Sequence, residues 1–215
     1  MRSMLVIGLG RFGTSLARRL SELGNEVMAI DRNEDAVNDV AEFVTAAQIG
    51  ECMDIDVLES LGVDNYDVCF VCISEDFQSS LEITSNLKDL GAKHIVSKAD
   101  REIHAKFLLK VGADEIVYPE RDMAARSAAK YSAKGAFEYV ELTPEYAIFE
   151  AEMPESWIGR SLRDMDVRSR HNINVIGLKK DGRVTPVTNP DHLFERNEHL
   201  LIAGGKDDLM KFLNK

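Results

Sequence analysis

Long hydrophobic runs are scarce in this sequence. The longest uninterrupted apolar stretch, residues 68–73, falls far short of the ~20 residues that cross a bilayer. The opening Met1-Arg2-Ser3 leads straight into the short stretch 4–8, without the longer apolar segment and small-residue cleavage site of a signal peptide. Cysteine is sparse too: three residues, an odd number, offer no disulfide framework and suit a reducing compartment. The expectation is a soluble, cytoplasmic protein with no membrane insertion of its own, reaching a membrane only through a partner. Basic charge is in deficit, with 26 Lys and Arg against 37 Asp and Glu and a net charge of -11. That balance argues against nucleic acid as a partner, since gripping a phosphate backbone needs clustered cations. The five histidines are dispersed and make no zinc-ligand spacing, and no Gly-x-Ser-x-Gly elbow is present.

What is present is an ordinary globular composition. In 215 residues, 45% are hydrophobic and 29% charged, enough for one large domain or two small ones with cores that need no staple. Short, continuously apolar runs at 4–7, 27–30, 44–47, 68–73, 95–97 and 116–118 alternate with amphipathic stretches. Phe12, Leu16, Leu20 and Leu23 make one such helical stripe; Ile103, Phe107 and Val111 make another. Continuous rather than alternating apolar strands are those covered on both faces, so the pattern predicts a Rossmann-like, doubly wound parallel sheet in an α/β protein.

After residue 118 the pattern changes. Residues 123–135 are rich in alanine (Ala124, Ala125, Ala128, Ala129, Ala133) and predict a helix that another helix could approach closely, as a crossover or dimer helix or by plain packing. From 146 strands dominate, at 147–153, 174–179, 183–187 and 199–203, with a short helix at 206–213. Asp181-Gly182 between two of these runs signals a hairpin. The expected domains are 1–135, nucleotide-binding, and 136–215, a small α+β C-terminal domain.

The strongest chemical signal is Gly8-Leu9-Gly10-Arg11-Phe12-Gly13, directly after the first strand and opening the first helix. In that context Gly8 permits the tight turn, Gly10 lets the backbone approach phosphates, and Gly13 lets helix and strand pack. The helix N-terminus adds unpaired N–H groups and partial positive charge. Asp31 closes the second strand about 20 residues on, where a carboxylate accepts hydrogen bonds from ribose hydroxyls. It repels a ribose 2′-phosphate, a bias that neighbouring Arg32 weakens. The pattern therefore favours ATP, ADP or NAD(H). Arg11, a cation inside the glycine turn, suits a terminal phosphate. Lys98 ends the fifth strand and Glu120 follows the sixth; the first could meet phosphate oxygens and the second hold a cation, and each also reads as a simple surface charge. Cys69 and Cys72 read as small core residues on opposite strand faces rather than a redox or metal pair. His171 and His192 read as solvated loop residues, which leaves no proton donor for a nicotinamide reaction.

Together the glycine turn, Asp31, Gly112-Ala113-Asp114, the segment Tyr118-Pro119-Glu120-Arg121-Asp122-Met123 and the C-terminal hairpin unit resemble RCK proteins, regulators of potassium conductance. The likeness is greatest to the cytosolic gating subunits of bacterial Ktr and Trk potassium uptake systems, of the single-unit Ktr kind. The resemblance implies a non-enzymatic regulatory subunit that binds ATP, ADP or NAD(H), with eight copies in a ring beneath an integral-membrane potassium transporter. It implies that Arg11 contacts the ATP γ-phosphate, Asp31 and Asn33 hold the ribose, Glu51, Cys52 and Met53 flank the adenine, Ser74 lines the pocket mouth and Lys98 faces the phosphates. Glu51-Cys52-Met53 replaces the small Asn-Ala-Thr type of segment common there. Glu120 matches the family carboxylate that binds Mg2+, Ca2+ or Na+. Arg168, Asn174 and Pro190 stand at the spacing of a cyclic di-AMP site at a dimer interface; the alternative is a C-terminal domain that only dimerises. The rival readings are a small NAD-dependent oxidoreductase and a free-standing nucleotide sensor.

Overall fold

The computed structural model describes residues 1–74, 76–132 and 135–214. The chain divides into two compact units, Met1–Arg121 and Asp122–Lys215. The boundary expected from sequence, after 135, lies later because it groups the alanine-rich helix with the first domain.

The first unit runs β1 (Ser3–Ile7), α1 (Arg11–Glu22), β2 (Glu26–Asp31), α2 (Glu34–Ala41), β3 (Ala46–Ile49), α3 (Ile55–Leu61), β4 (Val68–Val71), α4 (Phe77–Asp89), β5 (Ile95–Lys98), α5 (Glu102–Val111) and β6 (Glu115–Val117). The strands form one parallel sheet in the order β3-β2-β1-β4-β5-β6. Successive residues of β1 enter different cores: Leu5 and Ile7 pack with Val71, Ile83 and Leu87, while Met4 and Val6 pack with Ala17, Val27 and Val37. Both sheet faces are therefore covered, which is why these strands are continuously apolar.

Two strands differ from expectation for local reasons. Val44 donates its N–H back to Val40 O, so the turn out of α2 uses residues 44 and 45 and β3 begins later. β4 stops at Val71 because its partner β1 ends at Ile7 and offers no further ladder. Cys72 thus lies just past the strand, on the other core layer from Cys69, and all three cysteines are free thiols. Burial pushes the thiols of Cys69 and Cys72 up to about 12, so neither is a thiolate at neutral pH.

Helix α6 (Pro119–Ser132) starts four residues earlier than the alanine pattern suggested, with proline at its first position, where the missing N–H is not needed. The expected continuation through Ala133 lies outside the described residues. The second unit then carries β7 (Ala136–Glu141), β8 (Tyr146–Glu152), α7 (Leu162–Met165), α8 (Val167–His171), β9 (Ile173–Lys180), β10 (Arg183–Pro186), β11 (His199–Gly205) and α9 (Lys206–Leu213). Its strands form an antiparallel sheet, β10-β9-β11-β8-β7, over a core that includes Phe149, Trp157, Phe194, Leu200 and Ile202. Strand β7 was not anticipated. A register shift between Ala136 and Glu138 breaks the two-residue period by which a strand is recognised. The Asp-Gly hairpin is present, with φ of 49° at Asp181 and 76° at Gly182.

Among the glycines of the first unit the closest approach is at Gly13, where an added Cβ would lie 1.9 Å from the Gly8 carbonyl oxygen. Backbone cannot move aside as a flexible side chain can. Replacing Gly13 with Ala is expected to destabilise the first unit by about 1–3 kcal/mol, the range for forcing atoms into a packed site. Urea unfolding followed by circular dichroism measures it, and an unchanged midpoint would contradict the close approach.

Candidate functional site

In a parallel sheet wound in both directions, the crossovers leave β1 and β4 on opposite faces and open a crevice at the strands' carboxyl ends. That crevice is present between β1 and β4, with a cavity of about 590 Å3. This is within the range of small-molecule sites. Its floor is the turn from β1 to α1. Gly8 has a φ of +92°, a conformation that favours glycine, and a Cβ there would also meet Ile73. A Cβ on Gly10 would meet nothing within 4 Å, so this backbone faces open space. Helix α1 has Gly10 as its N-cap, no side-chain cap and no acid in its first turn. Its N-terminal N–H groups therefore face the cavity with the positive end of the helix dipole and no side-chain acceptor among the described residues.

Asp31 closes β2 beside this turn. Its Oδ2 accepts from the Leu9 N–H at 2.5 Å and its Oδ1 from the Asn33 N–H at 2.8 Å. It is thus a staple of the turn, with lone pairs left over for hydroxyls. Asn33 caps α2, its side-chain oxygen accepting from the Ala36 N–H at 3.2 Å. Arg32 and Glu51 approach to 3.7 Å over the same end of the cavity. Cys52 lines the wall, with burial first and the charges of Glu51 and Asp31 second pushing its thiol up to about 12. It is apolar surface, not a nucleophile.

At the other end, Arg11, Lys98 and Glu120 line the cavity. Lys98 Nζ donates to Glu120 Oε1 at 2.9 Å, from a side chain only 13% exposed to one 72% exposed. The Lys98 hydrogen bond is the main reason that the Glu120 carboxyl sits below the usual range, and the Arg11 charge adds to it. The Arg11 guanidinium makes no side-chain hydrogen bond to a described residue. Among the described residues two cations and one carboxylate meet at that end, a net positive corner suited to an anion.

Of the residues singled out from sequence, Gly8, Gly10, Arg11, Phe12, Asp31, Arg32, Asn33, Glu51, Cys52, Ser74, Lys98 and Glu120 share this cavity. Gly13 does not line it and acts through packing. Met53 does not line it either; its sulfur lies 2.9 Å from the Ser79 hydroxyl, whose proton goes to Asp76 Oδ2 at 2.7 Å. Sequence reasoning missed Asp76 and Ser79, which also line the cavity. Asp76 caps α4 through the Ser79 N–H, and the Ser79 hydroxyl holds its carboxyl below the usual range. An Asp three residues before a Ser at a helix start was the legible signal.

Glu120 is one oxygen donor where Mg2+ or Ca2+ takes six or more. Among the described residues no cluster of three or more His, Cys, Asp and Glu could hold a metal. The Glu120 carboxylate accepts from the Lys98 ammonium, so it would be one donor among several at such a site.

In the second unit, Arg168 Nε donates to Asn174 Oδ1 at 2.8 Å, so this pair is together and exposed. The Pro190 carbonyl accepts from the Arg163 N–H instead. The two histidines expected to be solvated are engaged. His171 packs on Trp157 and Phe212, and His192 Nε2 bonds buried Glu198 at 2.9 Å. Sequence missed this because Glu198, at 5% exposure, has no hydrophobic pattern to announce its burial.

Among the described residues no helix is long and apolar enough to cross a membrane. Comparison with known proteins places the chain. The TrkA-N domain family matches residues 4–119 and the TrkA-C domain family residues 147–215. The Ktr system potassium uptake protein C of Bacillus subtilis (strain 168) is 38% identical, over 98% of this chain and 96% of that protein. The Ktr system potassium uptake protein A of the same organism is 34% identical, over 100% of this chain and 96% of that one. Among solved structures, the GsuK channel bound to NAD shares the fold with a TM-score of 0.69 at 17% identity, over 100% of this chain and 40% of that one. The chain belongs to the family of TrkA-N and TrkA-C domain proteins that includes the Ktr potassium uptake proteins, the RCK family that its sequence resembles.

Proposed function

We propose that this protein is the nucleotide-sensing regulatory subunit of a potassium uptake system. It binds ATP or ADP, or NAD(H), in the β1–β4 crevice, and copies of it assemble as a dimer and then a ring that gates an integral-membrane potassium transporter from the cytoplasmic side. One observation carries the reading: a helix N-terminus without a side-chain cap and an arginine whose guanidinium makes no hydrogen bond to a described residue face one cavity. The names of the relatives, as potassium uptake proteins, support the physiological role and a binding protein rather than an enzyme.

In this reading the ribose hydroxyls donate to Asp31, whose two N–H bonds fix its orientation, and a 2′-phosphate is refused by like charge. The adenine lies by Arg32, Asn33, Glu51 and Cys52, with Met53 behind the wall. Ser74 stands at the mouth. The phosphates take the N–H groups of Gly10, Arg11 and Phe12. Arg11 reads the outermost phosphate: ATP carries a charge that ADP lacks. A ligand shifts an assembly only by its differential affinity for two states, and ~1–3 kcal/mol is the usual coupling. The second unit dimerises, and the exposed Arg168–Asn174 pair, with Pro190, is the candidate cyclic di-AMP contact.

Two substitutions test the reading by calorimetric titration. Arg11→Ala should leave ADP affinity nearly intact and lower the preference for ATP over ADP by about tenfold, the worth of one charge-assisted contact; equal losses for both nucleotides would count against Arg11 as the sensor. Gly10→Ala places a methyl in open space, so its melting temperature should be unchanged while ADP affinity falls about tenfold or more. Unaltered ADP binding in that variant would remove the phosphates from the turn.

A further inference from the structure

The Lys98–Glu120 pair has a feature the nucleotide reading leaves unused. Lys98 ends β5, and Glu120 is the second residue of α6, just past β6; they meet because β5 and β6 are neighbours in the sheet. The lysine stem is mostly buried, which fixes where its ammonium can reach, whereas the glutamate is mostly exposed and free to swing away. Both residues line the cavity that holds the α1 N-terminus, and Arg11 lies close enough for its charge to act on Glu120. A carboxylate and a phosphate at that corner are anions of like charge seeking the same donor.

We propose that Glu120 is a tethered stand-in for phosphate: it holds Lys98 at the polyphosphate end of the crevice, and a nucleoside diphosphate must displace it to engage that lysine. The proposal rests on the nucleotide reading of the cavity. The glutamate is a specificity-determining residue that weakens binding. Ligands that reach Lys98 overcome the competition, and ligands lacking the outer phosphates do not meet it. Displacement also releases Glu120, so the carboxylate becomes available to other partners only when the site is filled. The pair thus couples occupancy of the crevice to the state of the first turn of α6.

The test is ADP titration of the full chain by calorimetry at low salt with EDTA present. Glu120→Gln removes the charge, and Glu120→Asp keeps the charge but shortens the side chain so that it no longer reaches the ammonium. Displacement predicts that both variants bind ADP more tightly than the wild type, by about three- to fivefold, the scale of one solvent-exposed ion pair. It predicts further that the gain from Glu120→Gln vanishes when Lys98→Met is also present, the interaction term of a double-mutant cycle. Tightening by Gln alone, or tightening that survives Lys98→Met, would show general charge repulsion and overturn the proposal. Equal or weaker ADP binding in both Glu120 variants would overturn it as well, and a melt followed by circular dichroism confirms that each variant is folded. Should Lys98→Met bind too weakly to measure, the Asp variant decides alone. A wild-type protein that binds no ADP at all is a separate result: it removes the nucleotide reading and this inference with it.

Discussion

The approach of Gly13 to the Gly8 carbonyl governs the first unit. With no Cβ at residue 13, α1 can seat directly against the end of β1, and a Cβ there would lie 1.9 Å from that oxygen. The consequence is directional. Once the helix is held at that distance, its first N–H groups point into the crevice where the strand order turns back on itself, and no side chain caps them. Asp31 reinforces the arrangement from the neighbouring strand by accepting the Leu9 N–H, so the carboxylate we propose for the ribose is also part of the frame that shapes the turn. Frame and site are the same atoms.

The electrostatics of the crevice are graded from end to end. At the β2 end a carboxylate and a loosely paired arginine and glutamate surround an apolar wall that includes a protonated thiol. At the β5 end two cations face one carboxylate. An adenosine with a polyphosphate chain has this same gradient: a neutral base, hydroxyl donors, then concentrated negative charge. A protein of net charge -11 that gathers cations at one corner has placed them against its overall bias, and short-range positive charge of this kind acts on a ligand within a Debye length rather than by long-range steering.

How much of this was legible follows from how local each signal is. The parallel sheet and the glycine turn are written in contiguous residues, because strand burial, turn geometry and helix start each need only their own few positions. Strand β7 was hidden by its bulge, which interrupts the alternation that marks a strand. The roles of His171 and His192 depended on partners elsewhere in the chain: Trp157 and Phe212 for the first, buried Glu198 for the second. Lys98 and Glu120 illustrate the limit well. Each was recognisable as a charge near a strand end, but their ion pair exists only because β5 and β6 lie side by side. Met53 stood in the right segment yet does not line the cavity and lies against Ser79, and Asp76 with Ser79 went unnoticed because a helix cap carries no apolar period.

The central claim, that the turn between β1 and α1 receives the phosphates of an adenosine nucleotide, is tested most directly by following backbone amide resonances during an ADP titration. The account predicts the largest shifts at Gly10, Arg11 and Phe12, saturating together with Asp31 and Asn33 as one site fills. Shifts confined to other parts of the chain, or none at saturating ADP, would contradict it.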